Sequence, residues 1–181
     1  NAQAIDSASP DFRIGELSDA ATTSFIIQKN LGTFGDGGMV ITNNPEIDRL
    51  VRKMRNHGSE KRSQHSFGFN SRLDDLQAGV LSAKMKHITA WTDQRIAWAK
   101  AYDKGLAGAK NIARPYTVPG YRHVFHLYVI ETANEAKRDN LLQFLNASAE
   151  YHGPEPFTDD LFNGGYLHQS FCFIFTHSEN S

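Results

Sequence analysis

The sequence predicts an α/β chain, and three stretches carry that reading. Residues 24–43, SFIIQKNLGTFGDGGMVITN, read as a short apolar strand, a glycine-rich turn and a second strand. Residues 44–106 place apolar side chains at helical spacing over most of their length. Residues 123–146 then give an apolar strand, HVFHLYVIE, followed by a helix from Arg138 to Asn146 that carries Leu141, Leu142 and Leu145 inward.

Taken in order, Asn1 to Asp19 is polar and turn-rich, and Ser9-Pro10-Asp11 breaks any regular element. Ala20 to Ile27 is expected to be a strand buried on both faces, as a mostly parallel sheet requires. Its apolar end, Ser24 to Ile27, brings Lys29 up beside Gly32, Gly35, Gly37 and Gly38, and Met39 to Thr42 forms the second strand. Burial or a neighbouring charge can lower the pKa of a lysine so placed, leaving a free amine that condenses with a carbonyl. Lys29 is therefore a candidate covalent site for an aldehyde cofactor. On spacing alone, a hairpin whose lysine only solvates the sheet edge is the favoured reading. The glycines lack the G-x-G-x-x-G order, so a dinucleotide site is weakly supported.

Asn44-Pro45-Glu46 combines an N-cap side chain, a proline in the first turn and an acid at the positive end of the helix dipole. Ile47, Leu50, Val51 and Met54 make one apolar stripe, and Gly58 is expected to stop the helix. Ser59 to Phe69 reads as an exposed loop, with His57 and His65 as surface residues. Asn70 or Ser71 is expected to cap the next helix, with Asp74 or Asp75 in its first turn. Arg72 to Leu106 reads as two helices or one bent helix, since the apolar register drifts near Lys86 to Thr92; Trp91 and Trp98 are expected in the core. Gly105 to Gly120 is a turn-rich connection.

Composition narrows the function. Apolar residues make up 40% and charged residues 22% of the 181, which fits a soluble globular protein. A net charge of −1 gives no field to attract nucleic acid or an anionic membrane. The basic run from Arg49 to Arg62 is interrupted by Glu60, as a solvated helix face would be. The single cysteine, Cys172, leaves no internal disulfide and no cysteine-based zinc site, which suits a reducing cytoplasm. No run of apolar residues is long enough to span a bilayer.

The run Ser24-Phe25-x-x-x-Lys29-Asn30-Leu31-Gly32, continued by Gly35-Asp36-Gly37-Gly38, resembles the cofactor-lysine segment of the DegT/DnrJ/EryC1/StrS family of pyridoxal-phosphate (PLP) sugar aminotransferases. Asn1-Ala2-Gln3-Ala4 upstream agrees with it in order and spacing. So does Gly68-Phe69-Asn70-Ser71-Arg72-Leu73-Asp74, with Gln77-Ala78, downstream. The resemblance covers roughly residues 1 to 145 and implies a fold-type I, aspartate aminotransferase-like transferase. Residues 1–105 would be the C-terminal part of the PLP-binding large domain with its linking helix, and 106–181 a small C-terminal α/β domain. A chain that opens inside a family motif is expected to be an internal piece of a longer protein.

The resemblance also implies roles. Lys29 would carry the cofactor and move protons, Gln3 would contact its ring and phenolic oxygen, and Ser24 would hydrogen-bond its phosphate. Asn70 would reach the phosphate in a partner copy, so the active form would be a homodimer with shared sites. The family's Asp, partner of the pyridine nitrogen, would lie immediately before Asn1. The implied reaction moves an amino group from glutamate, leaving 2-oxoglutarate, to a nucleotide-linked keto-sugar in amino-sugar or cell-surface polysaccharide synthesis. A PLP-dependent sugar dehydratase is disfavoured, because those enzymes place a histidine where Lys29 stands. A non-catalytic remnant that dimerises or binds sugar nucleotide is the alternative from another class. Beyond Asn146 the family's pattern is not followed. The tail is expected to be divergent or frame-shifted, and Phe171 to Phe175 to be an exposed strand prone to aggregation.

Overall fold

A computed structural model describes residues 3–61, 66–149 and 173–177, so His65 and most of the tail lie outside the described residues. Contacts divide the chain into two compact units. The first holds 1–96 and 117–126, the second 97–116 and 127–181. The sequence expectation put 97–105 with the first part and 117–126 with the second.

In the first unit β1 (Ala21–Ser24) pairs with β2 (Gly38–Ile41) antiparallel, with Ser24 opposite Gly38. The expected parallel strand buried on both faces is therefore corrected. Thr23 is buried while Thr22 is exposed, and Gly38 to Val40 are exposed. The strand also stops at Ser24, short of Ile27, because the chain curls there into a glycine-rich loop. Phe25 N donates to the Gly37 carbonyl at 2.7 Å, and Thr33 N donates to the Phe25 carbonyl at 2.7 Å. The fully buried Thr33 hydroxyl lies 2.8 Å from the carbonyls of both Phe25 and Gly35. This loop closes without further strand pairing.

Helix α1 (Pro45–Met54) starts as its sequence requires, with the Asn44 side chain accepting from Glu46 N at 2.9 Å and Ile47 N at 3.4 Å. It ends four residues before Gly58, at Met54 rather than at the glycine. Its stripe is half-buried at Ile47 and Val51 and exposed at Leu50 and Met54. The drift in register is a real break. Helix α2 (Asp75–Met85) and helix α3 (Ile88–Gly105) are separated at Lys86-His87. The cap of α2 is Asp74, so the expectation for Asn70 or Ser71 is corrected: Asn70 bridges Asn56 instead.

The core of the first unit gathers Phe25, Leu31, Leu81 and Ile88, with Ile5, Leu73 and Trp91 packed against them. Arg122 ties its ends together. The guanidinium reaches Asp6 Oδ2 and Asp93 Oδ1, each at 2.9 Å.

In the second unit β3 (Ile112–Ala113) and β4 (Tyr128–Thr132) pair antiparallel, and β5 (Phe173–His177) runs parallel to β4. The strand expected at His123 thus begins only at Tyr128. Before it Phe125 has φ +42°, which interrupts an extended run. Tyr128 is fully buried and donates to Asp103 Oδ1 at 2.7 Å, its ring beside Tyr102. Burial first, and then Asp103, push the Tyr128 phenol far above its ordinary value. Helix α4 (Glu135–Ala149) is longer than the expected 138–146 and half-buries Leu141, Leu142 and Leu145. Part of the expected exposed strand is paired, since the backbone of 173–177 lies along β4.

Candidate functional site

Lys29 sits five residues past the end of β1, in a bend closed by its own N–H on the Ile26 carbonyl at 2.9 Å. Its side chain is half-buried, and no ion pair among the described residues involves its amine. The bend is pinned from below. Phe25 on one side of Lys29 and Leu31 on the other both enter the core, at 5% and 1% exposure. Both anchors must hold for the lysine to keep its place.

The glycines around it are required by close approach. A methyl on Gly32 would fall 2.5 Å from the Ile27 carbonyl oxygen, which is backbone and cannot swing away. Gly35 has φ +155°, at the edge of the range that side chains avoid. Lys84 Nζ on α2 caps the Gly32 carbonyl at 2.6 Å and lies 5.4 Å from the centre of the Phe34 ring. Gln77 accepts from Phe34 N at 2.9 Å. The loop is held from its far side by α2.

Ser24 closes β1 with its hydroxyl half-buried. Its oxygen accepts from Ile26 N at 3.3 Å, and among the described residues its own O–H hydrogen is given to no acceptor. Gln3 is exposed, two residues before the Ile5 anchor in the core. No hydrogen bond among the described residues joins Gln3 to Ser24, Lys29 or Asn70. Asn70 is also exposed. It is fixed through its backbone neighbours, Phe69 N donating to the Met54 carbonyl at 2.7 Å and Ser71 N to the Arg55 carbonyl at 2.9 Å. Ser24 and Lys29 thus share one loop, while Gln3 and Asn70 are placed separately.

A second cluster, spanned by no local sequence motif, forms around Asn30. Asn30 Nδ2 donates to the Val124 carbonyl at 3.0 Å, and Asn30 Oδ1 lies 3.0 Å from His126 Nδ1. Arg95 on α3 reaches the Phe125 carbonyl at 3.3 Å. Burial first, then the charges of Lys29 and Arg95, push the His126 imidazole down to about 4. The signal available in the sequence was a histidine inside an apolar run, HVFHLYVIE.

That shift has a consequence for stability. Unfolded, a histidine titrates near 6.5, so between about pH 4 and 6.5 the unfolded chain binds more protons than the folded one. The contribution is complete above about pH 6.5 and is lost as pH falls toward 4. After allowing for solvent at a half-buried ring it amounts to roughly 2 kcal/mol. Urea unfolding at pH 5 and 7.5 should show that loss in the wild type and a smaller one in His126→Gln; equal losses would contradict it.

The donor set suits an anionic aldehyde. Among the described residues, a lysine amine without a carboxylate partner, a serine O–H given to no acceptor and a second cation, Arg95, favour a phosphate-bearing carbonyl compound over a metal ion or a neutral ligand.

The model of the DegT/DnrJ/EryC1/StrS aminotransferase family matches residues 1–154, past Asn146, beyond which the sequence alone leads one to expect a departure from the family's pattern. A pleiotropic regulatory protein of Geobacillus stearothermophilus is 46% identical over 147 residues, which is 80% of this chain and 39% of that protein. The dTDP-3-amino-3,4,6-trideoxy-alpha-D-glucose transaminase of Streptomyces venezuelae is 43% identical over 136 residues, 75% of this chain and 35% of that protein. The crystal structure of DesV from S. venezuelae superposes with a TM-score of 0.75 at 42% identity, covering 81% of this chain and 39% of that one. The chain therefore spans less than two-fifths of the length of each of these.

Proposed function

Since the chain belongs to the DegT/DnrJ/EryC1/StrS aminotransferase family, we propose that the whole protein moves an amino group from glutamate to a nucleotide-linked keto-sugar. Its fold is α/β of type I, present here in part, and the family's cofactor is pyridoxal 5'-phosphate. When bound, that cofactor supplies the electron sink that amino transfer needs.

In this reading Lys29 Nζ holds the cofactor's carbonyl carbon and carries protons to and from the reacting carbon. The Ser24 O–H donates to the phosphate, and Arg95 adds positive charge nearby. Gln3 would contact the ring and its phenolic oxygen. Asn70, exposed and backbone-anchored, serves the phosphate of a second copy, so the protein works as a homodimer. The single cysteine and the kind of substrate are consistent with a cytoplasmic enzyme of amino-sugar or polysaccharide synthesis. No helix among the described residues is long and apolar enough to cross a membrane.

The observation that carries the proposal is the shared loop of Ser24 and Lys29, where, among the described residues, the Ser24 O–H has no acceptor and the lysine amine no carboxylate partner. The experiment is amino transfer by the protein from 15N-glutamate to dTDP- and UDP-linked keto-sugars. We expect the label on the sugar. No transfer to any such sugar from a protein that binds the cofactor would overturn the substrate assignment.

A further inference from the structure

Asn30 and His126 are far apart in sequence, yet their side chains meet in the first unit, and the hydrogen bonds fix how. The Val124 carbonyl can only accept, so the Asn30 atom 3.0 Å from it is the Nδ2 donor. The other amide atom, facing His126 at 3.0 Å, is therefore the Oδ1 acceptor. A carboxamide oxygen cannot donate, so His126 Nδ1 must carry the hydrogen. In the neutral ring Nε2 is then left with its lone pair.

We propose that Asn30 is a positioning residue that locks His126 as the neutral Nδ1–H tautomer, presenting Nε2 as a standing hydrogen-bond acceptor in the neighbourhood of Lys29. The charged groups that act on the ring are Lys29, from the loop after β1, and Arg95, from α3. Both are cations, and both oppose an imidazolium. A ring that protonates only near pH 4 is a poor base at neutral pH. Its Nε2 orients a donor N–H or O–H without taking the proton. The chemical class it would receive is an amine or hydroxyl brought up beside Lys29, such as the amino group being transferred. This role rests on the aminotransferase reading of Lys29; the tautomer itself does not.

The test is magic-angle-spinning NMR on protein carrying 15N-histidine, without added cofactor. His126 is assigned from the signal lost in His126→Gln. The wild type is expected to show the Nδ1–H tautomer at pH 7 and to titrate below pH 5. Asn30→Asp places a carboxylate on Nδ1–H, so the midpoint should rise by two units or more, and Nε2 should become a donor as pH falls through that raised midpoint. Asn30→Ala should release the tautomer preference. An Nε2–H tautomer in the wild type, or a wild-type midpoint near 6.5, would overturn the proposal. So would the same titration in wild type and Asn30→Asp. If the variants fold poorly, the wild-type spectrum still decides. Because no cofactor is present, failure of the Lys29 assignment leaves this result standing, and the reverse.

Discussion

Replacing Lys29 with alanine is expected to reduce amino transfer by the protein by about 10³-fold or more, with both the covalent attachment and the proton carrier removed together. Folding should be little changed. The amine makes no ion pair among the described residues, and the bend around it is held by Phe25, Leu31 and the Thr33 hydroxyl rather than by the lysine. Lys29→Arg separates charge from chemistry, since a guanidinium keeps the positive charge and cannot condense with a carbonyl at neutral pH. It should be as inactive as the alanine variant. An arginine variant with near wild-type turnover would place the reactive amine elsewhere.

Gly68→Ala is expected to give the largest stability effect of any single methyl in the described residues. The backbones of Gly58 and Gly68 pass so closely that a methyl on Gly68 would overlap the Gly58 nitrogen and the His57 carbonyl carbon. Neither can rotate aside. Gly58 itself has φ +65°, a conformation glycine adopts without cost. Around this crossing His57 N donates to the Phe69 carbonyl at 2.9 Å and Arg72 Nη1 to Asn56 Oδ1 at 2.6 Å. Together with the bonds flanking Asn70 they tie its segment to the end of α1. Forcing the two segments apart should cost about 2–3 kcal/mol and lower Tm by about 5–10 °C. Gly79→Ala is the control. Gly79 lies inside α2 with nothing within 4 Å of its added methyl, so it should gain roughly 0.5–1 kcal/mol from helix propensity. Equal Tm values for the two variants would contradict the crossing as the source of the effect.

Local chemistry was legible in the sequence, and pairing between distant segments was not. Asn44-Pro45 announced the start of α1, and the register drift near Lys86 announced the break between α2 and α3, because caps and periodicity act over a few residues. The end of β1 was misplaced because Phe25 to Ile27 are apolar for a different reason. Phe25 anchors a loop to the core instead of extending a strand. Asn70 carries a residue type that often caps helices, and only its backbone pairing with Asn56 assigns it elsewhere. At the site, Ser24 and Lys29 were readable because they share one loop. The Asn30–His126 contact was not, since it joins residues on opposite sides of three helices in sequence.

In the proposed function Lys29 is the covalent seat of the cofactor. Its most direct measurement is the absorbance of the protein titrated with PLP, followed by borohydride reduction and peptide mapping. A visible band at one equivalent, fixed by reduction as a single adduct on the peptide containing Lys29 and lost in Lys29→Ala, is the predicted result. A folded, saturable protein whose adduct maps to another lysine, or that binds PLP with no reducible band, would contradict the account.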